Sequence, residues 1–318
     1  MNFFKHSDRI TIFVLSILAI YSQQQAFGVT ISVPAAKDNT LFRYDPIDPN
    51  TALNSNGSGD FISSGRSASR DEIRRGLIQF DLSSVPSNMQ VVPGSVHLQM
   101  RVVSIPKKDT LPRPFWFAPL SGLGGPWGEG VSDADVAVSG SGSGAPAQSG
   151  DATWFHTSYD PNIHNTTTFD PGATGFWTLQ GALGAAVTNP AAIFGPAAGT
   201  TASTEGFVDF TSASMEADIN AWLANPSSNF GWLIIGDESI TGGGDASSKR
   251  DFASRQHANA TFHPLLTFEI IPVPEPPTAS LCTLALITTT CIRRPRHRLG
   301  SSGWSDNGKL DRTPNRKI

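Results

Sequence analysis

Cysteine is almost absent from this 318-residue chain. The only two, Cys282 and Cys291, lie close together near the C-terminus, so the segment from Val29 to Ile271 has none. That segment therefore contains no disulfide bond, no cysteine-ligated zinc and no cysteine nucleophile. A domain of about 240 residues buries enough apolar surface to be stable without such cross-links.

Positive charge is also scarce in the middle of the chain. Between Val29 and Pro276 there are 13 Lys and Arg against 24 Asp and Glu, which gives 13 − 24 = −11, whereas the whole chain carries −4. No lysine or arginine occurs between Arg113 and Lys249. Such an acidic segment disfavours nucleic acid and anionic lipid as partners.

Short catalytic motifs are missing as well. The sequence contains no HExxH, no GxSxG, no phosphate-binding loop and no CxxC. Two carboxylates distant in sequence can still meet as a glycosidase pair, which no spacing reveals. We interpret the chain as non-enzymatic.

The N-terminus has the organisation of a secretory signal peptide. Lys5 and Arg9 precede the apolar run Ile10–Tyr21, and Ala26 and Gly28 place small residues at positions −3 and −1 of a cleavage site. This pattern predicts a signal peptide over residues 1–28. An uncleaved membrane anchor is the alternative.

The C-terminus has three consecutive parts. The spacer includes Pro274, Glu275 and Pro276, the run 278–292 has no charged side chain, and Arg293 and Arg294 open a basic cluster. Prolines make the spacer stiff, and basic residues stay on the cytoplasmic side of a membrane. The apolar run is shorter than the ~20 residues of a spanning helix.

This order resembles the PEP-CTERM sorting signal of exported bacterial proteins. The resemblance covers residues 272–298, with a polar, disordered tail expected over residues 299–318. It implies an exosortase-type membrane enzyme as a partner and a location at the cell surface or in an extracellular matrix, with at least transient anchoring by a C-terminal transmembrane segment. A disordered end with a chance apolar patch is the alternative.

The segment 29–271 has the pattern of an all-β domain. Short runs rich in β-branched and aromatic residues recur between turn signals, and one helix is expected at about Ala213–Leu223. The expected strands are Val29–Val33, Gly76–Leu82, Ser95–Val103, Thr153–Thr157, Gly206–Thr211, Phe230–Gly236, Phe252–Gln256 and Leu265–Ile271. Long Gly-, Ser- and Ala-rich loops favour a β-sandwich with elaborated edges over a compact enzyme barrel.

Three segments of this domain are similar to the DNRLRE domain, a β-sandwich family close to a class of carbohydrate-binding modules, and this resemblance implies a jelly-roll-like β-sandwich. They are Leu77–Pro86, Asp218–Ile234 and Phe252–Phe268. The resemblance implies a module found in bacterial surface proteins and polysaccharide-degrading systems.

Candidate polysaccharide-binding residues are the loop tryptophans Trp116, Trp127, Trp154 and Trp177. An exposed ring stacks on the C–H face of a pyranose, whereas the alternative for each ring is core packing. Arg66 and Arg70 belong to the densest basic patch of the domain and suit an acidic polysaccharide, the alternative being a solvated loop.

Calcium is the one cofactor that the acidic loops suggest. Asp38, at the first expected strand, and Asp237 with Glu238, after the apolar strand, supply the oxygen ligands that Ca²⁺ prefers. Solvated surface carboxylates are the alternative. The sequence thus predicts a non-catalytic, exported protein that binds polysaccharide, or a structural or adhesion component of the envelope matrix with no small ligand.

Overall fold

Antiparallel β-strands make up most of the domain. A computed structural model describes residues 28–43, 53–67, 72–109, 111–134, 144–164, 168–239 and 247–273, all within one compact unit that ends at Val273. The strands are β1 (Val29–Arg43), β2 (Asn54–Ser55), β3 (Phe61–Arg66), β4 (Ile73–Phe80), β5 (Met89–Val91), β6 (His97–Ser104), β7 (Arg113–Pro119), β8 (Ala145–Pro146), β9 (Gly199–Thr201), β10 (Gly206–Phe210), β11 (Trp232–Ile235), β12 (Arg250–Ala253) and β13 (Leu265–Pro272). The α-helices are α1 (Pro190–Phe194) and α2 (Ala213–Ala224).

The strands form a β-sandwich, and β1 belongs to both of its layers. The first part of β1, from Val29 to Pro34, pairs with β13, and the part from Ala35 to Arg43 pairs with β4 after a register shift. The first layer runs β1-β13-β6-β12-β3, with β5 beside β13 and β10 beside β6. The second layer contains the end of β1 and continues from β3 through β4, β11, β7 and β9. The all-β sandwich expected from the sequence is confirmed.

The main hydrophobic core lies between the two layers. Side chains alternate along each strand, so Trp232 and Ile234 of β11 point into this core together with Leu98 of β6 and Phe268 of β13. Helix α2 adds Trp222 and neighbouring apolar residues. Trp222 and Trp232 lie with ring centroids 4.6 Å apart. Full burial of such rings stabilises the fold by roughly 2–3 kcal/mol each.

A second core covers the outer face of the second layer. Leu233 and Ile235 of β11 point into it, opposite a layer of loops that spans residues 120–187. The described part of these loops supplies the tryptophans and phenylalanines that fill this core. The residues of both cores lie within the segment 28–273.

The expected elements agree with the structure where the local pattern is strong. Helix α2 begins after Ser212, whose side chain accepts from the Met215 N–H, and β11 is buried along its whole length. Two expectations are wrong. The run Thr153–Thr157 contains only an isolated bridge between His156 and Phe176, and the apolar run around Trp116 is strand β7 and not a loop.

Candidate functional site

Arg66 does not lie on an exposed basic patch. It ends β3 in the interior, with 5% of its surface exposed, and its Nη1 donates to the Glu238 carbonyl oxygen at 2.8 Å. Its backbone N–H donates to Ser248 Oγ. The prediction that Arg66 grips an acidic polysaccharide is therefore wrong. Arg70 lies outside the described residues.

Glu238 is held in a buried ion pair. Its two carboxylate oxygens accept from Nε and Nη2 of Arg75 at 2.8 and 2.9 Å, and Oε2 also accepts from the Val187 N–H. The neighbouring Asp237 accepts from Arg113 Nη1 at 3.2 Å. Since cationic donors already occupy these carboxylates, the predicted calcium ligands Asp237 and Glu238 are wrong.

Asp38 is fully buried beneath Glu129. Its Oδ2 accepts from the Arg255 N–H at 2.8 Å, whereas its Oδ1 has no hydrogen-bond partner among the described residues. Glu129 Oε1 accepts from the Asp38 N–H and from Gln256 Nε2. Burial, more than the Glu129 charge, raises the pKa of Asp38 to about 8. Asp38 leaves only one enclosed oxygen without a donor, whereas Ca²⁺ takes about 6–8 oxygen ligands, so the structure does not support Asp38 as a calcium ligand. In the described ranges, no three His, Cys, Asp or Glu side chains are grouped to hold a metal ion.

All four candidate tryptophans are buried. They belong to the core beneath the loop layer, where their rings are covered by neighbouring side chains and cannot stack on a sugar. Three of them donate their indole N–H to a backbone carbonyl at 2.8–3.0 Å. The exposed fractions are 7% for Trp116, 3% for Trp127 and 0% for Trp154 and Trp177. The predicted tryptophan platform is wrong, and the alternative of core packing is correct.

An exposed aromatic ring lies elsewhere, on the outer face of the first layer. Phe207 of β10 is 49% exposed and lies directly opposite Arg101 of β6. Phe262 packs against Phe207 edge to face, with ring centroids 5.9 Å apart, and His257 lies 5.3 Å from Phe262. We call Arg101, Phe207, His257 and Phe262 the outer aromatic surface.

Arg101 is the cation of this surface. Its guanidinium carbon lies 5.1 Å from the Phe207 centroid and 4.5 Å from the Phe262 centroid. The two rings fix its orientation, and each such contact contributes about 0.5–1 kcal/mol at an exposed site. Its Nε has no hydrogen-bond partner among the described residues.

Polar side chains border the outer aromatic surface. Gln99 precedes Arg101 by two residues on the same face of β6, and its Nε2 donates to Asp209 of β10 at 3.4 Å. Leu265 of β13 lies opposite Gln99 and is partly exposed. An exposed ring, two half-buried rings, an oriented cation and amide and carboxylate groups thus lie together on one sheet face.

A groove of about 320 Å³ lies elsewhere, between the turn after β4 and helix α2. Its aromatic lining, Phe80 and Trp222, is buried. The accessible lining of the groove is more apolar than polar, with Leu82, Val85 and Pro226 beside the polar side chains of Lys37, Gln79 and Asp81.

Comparison with known proteins does not assign this chain to a family. No protein-family model matches it, and no curated protein sequence matches it significantly. In the described part of the chain, no helix is long and apolar enough to cross a membrane. Most of the expected signal peptide (residues 1–27) and the sorting residues Pro274, Glu275, Pro276, Arg293 and Arg294 lie outside that part.

Proposed function

We propose that this chain is an exported, non-catalytic protein whose β-sandwich binds polysaccharide. The outer aromatic surface carries this proposal, because it combines one exposed and two half-buried rings with an oriented arginine on a sheet face. Phe207 presents a large part of its ring to solvent. A pyranose stacks its C–H face on such a ring, while hydroxyl groups bond to side chains of the Gln99 and Asp209 type.

The two ends of the sequence support the cellular part of the proposal. The pattern of residues 1–28 is that of a cleaved signal peptide, and the run from Pro274 to Arg294 resembles an exosortase substrate. In this proposal an exosortase-type enzyme processes the chain at the membrane and leaves the sandwich at the cell surface or in the matrix. The −11 charge of residues 29–276 supports a partner other than nucleic acid.

A structural or adhesion component of the matrix is the second candidate. The burial of Trp116, Trp127, Trp154 and Trp177 favours it, because their rings stabilise the fold and leave the loop layer without a ring platform. In this case the sandwich acts as a packing unit with no small ligand.

Affinity electrophoresis of the segment Gly28–Val273 in gels with neutral or acidic polysaccharides separates the two candidates. We expect retardation in at least one gel, and we expect Phe207→Ala to weaken it about five- to ten-fold, since an aromatic contact contributes roughly 1 kcal/mol or more. Ile193→Ala is the matched control, because Ile193 is exposed on α1. Equal migration in every gel would leave only the structural candidate.

A further inference from the structure

One edge of the first layer is open at the start of β1. The part Val29–Pro34 pairs with β13 on one side, and no strand of the described residues pairs with its other side. In an antiparallel sheet, every second residue of an edge strand directs its N–H and C=O away from its neighbour. Within the described residues, the outward-facing N–H and C=O groups at the start of β1 therefore have no strand partner.

This edge lacks most of the features that prevent an exposed edge strand from pairing with another strand. The sequence Val29-Thr30-Ile31-Ser32-Val33 contains no charge, and four of its five residues are β-branched. Only Pro34, which has no N–H, limits the edge at its end. An uncharged edge in a segment of net charge −11 is well suited to pair with another uncharged strand.

The edge is also complementary to itself. Val33 is buried and Ile31 packs against the main core, whereas Thr30 and Ser32 are exposed on the other face. Antiparallel pairing of two copies about Ile31 places Ile31 opposite Ile31, Val29 opposite Val33 and Thr30 opposite Ser32. Each pair then joins apolar to apolar or hydroxyl to hydroxyl, and Val29, which is 56% exposed, gains an apolar neighbour.

We propose that two copies of this chain form a two-fold symmetric dimer by pairing their Val29–Val33 edges about Ile31. The same patch contacts itself, as a two-fold axis requires. A five-residue edge contact is small beside the roughly 1,200–2,000 Å² of a stable interface, so the dimer is weak and depends on concentration.

The dimer extends the first layer into one continuous sheet. Its central order is β6-β13-β1 followed by β1-β13-β6 of the second copy, so the two β6 strands lie five strand spacings apart, roughly 24 Å. The outer aromatic surfaces of the two copies then lie on the same face of this continuous sheet, where one polysaccharide chain can bind to both of them. This last consequence rests on the proposed function, whereas the dimer itself does not.

Two charge variants test the dimer in the full chain and in the segment Gly28–Val273. The variant with Thr30→Lys and Ser32→Lys places lysine opposite lysine, and Thr30→Lys with Ser32→Glu places lysine opposite glutamate. We expect sedimentation velocity to show a monomer–dimer equilibrium for the unmodified protein, weakened at least ten-fold in the first variant and retained in the second. A monomer at all concentrations up to about 1 mM, or equal weakening in both variants, would overturn the proposal.

Cross-linking provides a second measurement that does not depend on those variants. Paired residues of antiparallel strands have Cα atoms roughly 4.5–5.5 Å apart, within the range of a disulfide. In the segment Gly28–Val273, which has no native cysteine, Ile31→Cys is expected to form a covalent dimer on mild oxidation. Thr267→Cys, on the adjacent strand β13, is the control. Equal cross-linking of the two variants would contradict pairing about Ile31.

Discussion

Replacement of Asp38 by asparagine is expected to stabilise the protein relative to the unmodified protein, by an amount that grows as the pH rises. The Asp38 carboxyl is buried, and its Oδ1 has no donor among the described residues. Asparagine keeps the oxygen that accepts from the Arg255 N–H. Its uncharged N–H₂ group takes the place of Oδ1, so the variant cannot ionise at this position.

The size of the effect follows from the pKa of Asp38. Burial raises it from 3.8 to about 8, so between these pH values the folded protein holds a proton that the unfolded chain releases. The contribution of Asp38 to the stability of the unmodified protein therefore falls as pH rises, by about 1.4 kcal/mol per pH unit. Asp38→Asn removes this dependence. The free energy of unfolding of the variant minus that of the unmodified protein should increase by about 3–4 kcal/mol between pH 5 and pH 8.

Urea unfolding of the segment Gly28–Val273 at pH 5, 6, 7 and 8 measures this difference. Glu205→Gln is the control, because Glu205 is exposed and the substitution removes the same charge. We expect a difference that grows with pH for Asp38→Asn and stays near zero for the control. A difference that is constant with pH would refute the reasoning, since Asp38 would then be ionised in the folded protein.

Three further predictions concern the interior. Glu238→Gln leaves buried Arg75 without its carboxylate and should lower the free energy of unfolding by about 3–5 kcal/mol in urea titrations. The control Asp237→Asn, at a partly exposed ion pair, should lower it by less. Equal losses in the two variants would contradict this prediction. Burial, followed by a neighbouring histidine, lowers the pKa of His156 from 6.5 to about 3, so the contribution of His156 to stability should fall by about 2 kcal/mol from pH 7 to pH 5, opposite in sign to that of Asp38. The free energy of unfolding of His156→Gln minus that of the unmodified protein should therefore rise by about this amount over the same range. Trp154→Ala should lower the free energy of unfolding by about 3–5 kcal/mol in the same assay, since Trp154 is fully buried, without changing polysaccharide retention by the folded fraction. A loss of retention by folded protein would instead indicate that the tryptophans bind the polysaccharide.

The sequence predicts those elements whose pattern is local. The run Phe230–Ile235 is almost entirely apolar, and it forms β11 between two other strands. Helix α2 has its apolar residues on one face and a serine cap, so its position is close to the expected one. Alternating residues in β6 also indicate which of its side chains face solvent.

The burial of the tryptophans depends on contacts between distant segments. Prolines flank Trp116 and obscure strand β7, whose partner β11 lies more than a hundred residues further along the chain. The loop layer covers the outer face of β11 and encloses Trp154 and Trp177. No local pattern distinguishes a loop that folds back over a sheet from one that remains exposed.

The outer aromatic surface likewise depends on contacts between segments that are distant in the sequence. Alternation in β6 places Arg101 on the exposed face, but its two aromatic neighbours come from β10 and from the short 3₁₀ turn at Phe262. The register that puts Phe207 opposite Arg101 exists only in the folded sheet. Alternation of side chains within the expected strand Gly206–Thr211 is the local pattern that could have indicated an exposed ring at Phe207.

Hydroxyl-radical footprinting of the segment Gly28–Val273, with and without a polysaccharide that retards it, tests the binding surface most directly. We expect oxidation of Phe207 and Phe262 to fall when the polysaccharide is present, while that of the exposed Ile193 stays constant. Unchanged oxidation of both phenylalanines, with protection at another face, would contradict the assignment of polysaccharide binding to this surface.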